Sequence, residues 1–176
     1  MTPHDAHQVQ QQYAHGEPRP LKGYLALMGV YGVLSGGLVA WSRTRAPADR
    51  ALRWGDVARL AVATARLSRL LTKDSVTSPL RAPLTRYSGQ GQPSEVNEEV
   101  AGWARGRPLP HAVAELVTCP FCMAQWAATG LVTAHVLAPR TTRLVTDILV
   151  AAAGADAVQY ATASLEHLES RLGQQA

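Results

Sequence analysis

Long uncharged runs, rather than alternating positions, dominate the hydrophobic pattern of this chain. From Gly23 to Ser42 twenty consecutive residues carry no charge, with Arg19 and Lys22 before them and Arg43 and Arg45 after. A second run, of twenty-four residues, extends from Leu116 to Pro139, and a third, from Leu144 to Leu165, is broken only by Asp147 and Asp156. A helix needs roughly 20 predominantly apolar residues to cross a hydrocarbon core of about 30 Å. A helix of a water-soluble bundle would instead show a polar face at the 3.6-residue period. Gly23–Ser42 shows none, and its glycines weaken a helix in water while permitting close packing in lipid. No small-residue cleavage site precedes the Arg cluster, so a cleaved leader is not expected. The pattern predicts an all-α, multi-pass membrane protein with about three spanning helices. A soluble helical regulator is the competing class.

Between the first two runs the periodicity changes. Over Gly55–Asp74, Val57, Leu60, Ala61, Thr64, Leu67, Ser68 and Leu71 fall in one stripe at 100° per residue. Arg59, Arg66, Arg69 and Lys73 fall opposite, as a basic face suited to a membrane surface. An amphipathic helix over 55–74 is expected, lying in the headgroup plane of an anionic leaflet or packing its stripe on the spans with the arginines solvated. Residues 75–95, with Pro79, Pro83 and Pro93, predict a loop, and Glu95–Trp103 a short helix. The 139–143 turn predicts an antiparallel helical hairpin. The expected organisation is a disordered Gln- and His-rich tail over 1–20, a first span over 21–42, a basic cytoplasmic segment over 43–115, and a hairpin over 116–172 with spans 116–139 and 143–165.

Charge then gives an orientation. The 176 residues suffice for one domain of ordinary size, and the net charge is +4. Only 17% of residues are charged, below the roughly 25% usual for soluble domains. Twelve Lys or Arg lie in 42–118, against two before Gly23 and two in 139–143. The positive-inside rule places a multi-pass protein in the cell membrane with its N-terminus outside and its C-terminus cytoplasmic. The partner implied is the lipid bilayer. Gly32-x-x-x-Gly36 in the first span permits close helix contact, within the chain or in a homo-oligomer. Aromatics do not interleave with the basic residues, so nucleic acid is not expected. No phosphate loop, nucleophile triad or catalytic carboxylate pair appears, and the sequence identifies no small-molecule substrate.

Cys119-Pro120-Phe121-Cys122 is the sharpest local feature. A Cys-x-x-Cys pair at a helix start suits thiol–disulfide chemistry, because free amides stabilise a thiolate. The motif resembles that of glutaredoxins, yet no β-rich sequence surrounds it. It is also half of a four-ligand zinc site, with His111 as a third candidate ligand. The simplest reading is that two small residues open a spanning helix, in which case no cofactor is needed; Cys119 is then expected to be partly exposed and Cys122 buried. Ionisable groups inside spans are costly. Asp147 is expected to pair with Arg143 or His135, and Asp156 to meet Gln125, Trp126, Gln159 or Tyr160.

Several motifs carry a family resemblance. Arg66-Leu67-Ser68-Arg69, Thr72-Lys73-Asp74, Pro79-Leu80-Arg81-Ala82-Pro83, and Glu115-Leu116 leading to Cys119-Pro120-Phe121-Cys122 and Trp126 resemble the bacterial membrane-protein family catalogued as domain of unknown function 1360 (DUF1360). The resemblance covers about residues 55–165. It implies a small multi-pass membrane protein of Gram-positive bacteria, with some members labelled sporulation-associated, and it implies no reaction. Leu84 stands where the family pattern would have Phe. A non-enzymatic structural or interaction role is therefore expected, with membrane thiol-redox or metal-binding chemistry at the cysteine pair as the alternative.

Overall fold

The computed structural model describes residues 19–45 and 52–173, so the expected tail lies, up to residue 18, outside the described residues. Helices α1 (Leu21–Arg45) and α2 (Trp54–Thr72) are followed by a 3-10 turn (Ser75–Thr77) and the short α3 (Ser78–Arg81). Strands β1 (Thr85–Gln90) and β2 (Val96–Val100) come next, then α4 (Pro108–Thr118), α5 (Pro120–Leu137) and α6 (Pro139–Gly173). The protein is mostly helical, as its apolar runs imply, but it is not all-α. Residues 19–45 and 68–126 form one compact unit, and residues 52–67 and 127–173 a second.

In the first unit, β1 and β2 make an antiparallel hairpin where a loop and a short helix were expected. Thr85 opposes Val100 and Gln90 opposes Val96, with a bulge between Tyr87 and Gly89. Only Ser94, in the connecting turn, is a non-glycine residue with positive φ among the described residues. The strands read TRYSGQ and VNEEV, too polar to announce themselves by alternation. What holds them is a buried ion pair. Arg81, its side chain 1% exposed, donates from Nε to Glu98 Oε2 at 2.6 Å, and Glu98 is 6% exposed. The guanidinium also donates to the carbonyls of Leu71 at 2.9 Å and Asp74 at 3.1 Å, and to Thr77 Oγ1 at 2.7 Å. One side chain thus ties the end of α2 and the 3-10 turn to β2. On the outer face Arg86 and then Arg105 hold the Glu99 carboxyl below the ordinary carboxylate range. That exposed contribution is present at neutral pH and is lost as the pH falls through the lowered value.

Helix α1 packs on α4 at one glycine. A Cβ on Gly23 would collide with the Pro108 carbonyl oxygen and lie 2.8 Å from Ala112 Cβ. Gly32 and Gly36, the pair expected to mediate close contact, have nothing within 4 Å of a built Cβ. Replacing Gly23 by alanine should therefore push α1 off α4 and lower stability by about 1–2 kcal/mol, in the lower part of the overpacking range. Thermal unfolding followed by tryptophan fluorescence checks this; Gly32→Ala, which meets open space on a helix, should not lower the midpoint.

The second unit has a small apolar cluster of Leu60, Ala63, Leu131 and Leu149, with Leu67, Val132 and Val150 against it. Beside it runs a ladder of ion pairs. Arg59 Nε lies 3.0 Å from Asp147, Arg66 Nε 3.0 Å from Asp156, and Arg143 3.5 Å from Asp56. Partners ascend together in both helices, so this part of α2 runs parallel to α6. Its inward face includes Arg59 and Arg66, while Val57, in the expected stripe, is 41% exposed. The carboxylates of α6 turn the helix toward its arginines.

Among the described residues two helices are long and apolar enough to cross a membrane, over Leu21–Thr44 and Pro139–Leu172. The expected second span is not one straight helix. Cys119 interrupts it, and α4 and α5 meet at 85°.

Candidate functional site

The break at Cys119 has a local cause. Pro120 lacks an N–H and disfavours a helical residue before it, so Cys119 is extended (φ −105°, ψ 108°) and a new helix starts on the proline. Cys119 then occupies the position before the first turn of α5, where serine or threonine normally caps. Its Sγ takes the place of their oxygen, accepting the Cys122 N–H at 3.3 Å. Both cysteines are free thiols; Cys119 is half-buried and Cys122 exposed. The expectation of a buried Cys122 is thus overturned. The helix restarts at Pro120, leaving Cys122 in a first turn rather than inside a continuous span.

The pair lines a cavity of about 670 Å³ in the first unit, between α1 and the α4–α5 bend. Leu27, Met28 and Leu116 give it apolar walls. Two cross-chain hydrogen bonds supply its polarity. The Tyr24 hydroxyl donates to Glu115 Oε2, and Gln125 Nε2 donates to the Tyr31 hydroxyl at 2.6 Å. Tyr31 also meets Trp126 edge-on, with ring centroids 5.2 Å apart. His111 lies behind Glu115, with Nε2 3.6 Å from Oε1, too long for a hydrogen bond. Its side chain is 8% exposed, and its Nδ1 has no hydrogen-bond partner among the described residues. A smaller cavity of about 300 Å³ joins His111 and Glu115 to Arg19, Glu99 and Arg105.

The structure therefore brings Cys119, Cys122, Trp126 and, through Glu115, His111 into one neighbourhood. It sends the other candidates elsewhere. Asp147 pairs with Arg59 rather than Arg143 or His135, and Asp156 with Arg66 rather than Gln125, Trp126, Gln159 or Tyr160. His135 is in the last turn of α5. Arg69, from the expected membrane-surface face, pairs with Glu95, and the Lys73 carbonyl accepts the Val96 N–H. Among the described residues no three His, Cys, Asp or Glu side chains converge as a metal ion would require. Tyr24, Tyr31 and Glu115 are site residues that the sequence did not single out, and Gln125 stood there only as an expected partner of Asp156. Glu115 had a signal, lying four residues from both His111 and Cys119, on one helical face of an apolar segment.

Residues 59–162 match the family model described as "Protein of unknown function (DUF1360)". The chain belongs to that family. The match takes in the Arg81–Glu98 pair, the cysteine pair and the Arg59–Asp147 and Arg66–Asp156 pairs, but not Asp56 or α1. No curated protein and no solved structure matches the chain.

Proposed function

We propose that this member of the DUF1360 family is a multi-pass integral membrane protein with a non-enzymatic, structural or interaction role. One observation carries the membrane part. In each of the two long helices only 6% of the most apolar window is buried inside the protein. Val33 is 75% exposed on α1 and Val158 67% exposed on α6. Soluble proteins rarely expose continuous apolar surface on this scale, and a bilayer covers it without cost. The bent α4–α5 pair is the third crossing in this reading. The expected orientation, with the N-terminus outside and 42–118 wholly cytoplasmic, is not carried into this reading: it puts Asp56 and the 139–143 turn on opposite sides of the membrane, whereas Asp56 pairs with Arg143. The open faces of Gly32 and Gly36 leave α1 free to meet a second copy.

A carbonate wash of membranes from expressing cells should leave the protein in the pellet; release into the supernatant would overturn the membrane reading. A reporter fused after Ala176 and one inserted after Ala138 should report opposite sides of the membrane; reporters on the same side would overturn α6 as a crossing.

A further inference from the structure

A dithiol beside a cavity needs somewhere to send its electrons. The chain has two cysteines in all. No second pair relays electrons within it, so an acceptor has to come from outside the polypeptide. The cavity beside the sulfurs, about 670 Å³, falls in the size range of small-molecule sites. One wall belongs to α1, a helix long and apolar enough to lie in a bilayer. Its polar groups are Arg19, Thr118 and the Tyr24–Glu115 and Tyr31–Gln125 pairs, which line the same cavity as the two cysteines, and Trp126 adds an aromatic face. A flat ring with two carbonyl oxygens and an apolar tail suits this combination. The geometry points to a membrane-soluble quinone as the occupant of the cavity and the two-electron oxidant of Cys119 and Cys122. The inference rests on the membrane reading above, because the bilayer is where such a tail dissolves, and it replaces the non-enzymatic role with the thiol-redox alternative at the same cysteine pair.

The chemistry balances without a further reagent. Two S–H bonds break and one S–S bond forms; two electrons and two protons pass to the quinone, whose carbonyl oxygens become the two hydroxyls of a quinol. The Cys122 N–H, which Cys119 Sγ already accepts at 3.3 Å, is in place to meet negative charge on that sulfur during the exchange. The disulfide is reduced again by thiol–disulfide exchange with a protein dithiol. Its thiolate attacks the exposed Cys122 sulfur and expels Cys119, whose charge the same N–H receives; the donor's second thiol then frees Cys122 and leaves the donor oxidised.

The test uses the full chain in lipid nanodiscs, reduced, desalted without oxygen and mixed with decyl-ubiquinone, a fully substituted benzoquinone that cannot add thiols. Expected are one quinol per chain, loss of both maleimide-reactive thiols, and a rate that saturates with quinone. Cys119→Ser and Cys122→Ser should each abolish quinol formation. Tyr31→Phe combined with Gln125→Leu should raise the half-saturating quinone concentration about tenfold, the worth of about one lost hydrogen bond. Thiols that stay reduced would overturn the inference. So would a rate that never saturates and is equal in the detergent-unfolded chain. Either result in protein that resists the carbonate wash removes the quinone site alone; extraction by carbonate removes the membrane reading on which it rests.

Discussion

Glu98→Leu should cost the protein about 3–5 kcal/mol, the range for breaking an enclosed ion pair from one side. The leucine leaves the Arg81 guanidinium 1% exposed, with its carbonyl and hydroxyl partners in place but no counter-charge. Thr85 Oγ1, 3.3 Å from Glu98 Oε2, loses an acceptor as well. The double variant Arg81→Met with Glu98→Leu should recover much of the loss, because replacing both charges by apolar groups removes the desolvation penalty. Denaturant unfolding monitored by tryptophan fluorescence measures the difference, and hydrogen exchange over 85–100 locates it. A double variant as unstable as the single would show that the contacts of Arg81 with Leu71, Asp74 and Thr77, rather than its charge pair, hold the hairpin.

That pair marks where the sequence was and was not legible. Long apolar runs announce helices by length alone, so α1, α5 and α6 were readable from composition. The hairpin was not, since its strands carry an arginine and two glutamates where a strand pattern would alternate. Its order comes from Arg81 on another element, and a pairing seventeen residues apart leaves no periodic trace. The helix break at Cys119 was partly legible. Pro120 announced a helix start, but the uninterrupted apolar run around it concealed the end of α4. For the candidate site the cysteines stood out by spacing, whereas Tyr24 and Tyr31 lie about ninety residues from their partners and nothing local couples them. The acidic residues of α6 stood out as costly, but their partners did not. An arginine on a helix with an apolar stripe reads as solvated until its counter-ion is placed.

Arg66 and Asp156 give the second large effect. Asp156 lies within a stretch apolar enough to span a bilayer, where insertion scales put an isolated carboxylate at about 2.5–3.5 kcal/mol. Arg66 approaches it at 3.0 Å, with side-chain exposures of 18% and 42% for the two partners. Arg66→Leu takes away that counter-charge and should lower stability by about 2–3 kcal/mol, less than for Glu98 because Asp156 is not enclosed. Asp156→Leu leaves the more buried arginine and should cost a similar amount. The double variant should fall well short of the sum, with a coupling of about 2 kcal/mol. Charge exchange, Arg66→Asp with Asp156→Arg, should restore part of the loss, because the parallel course of α2 and α6 keeps the two positions opposed. Thermal unfolding of all four proteins in nanodiscs completes the cycle. Additive single effects would mean that the apolar cluster of Leu60, Ala63, Leu131 and Leu149 holds α2 to α6 without help from the charges.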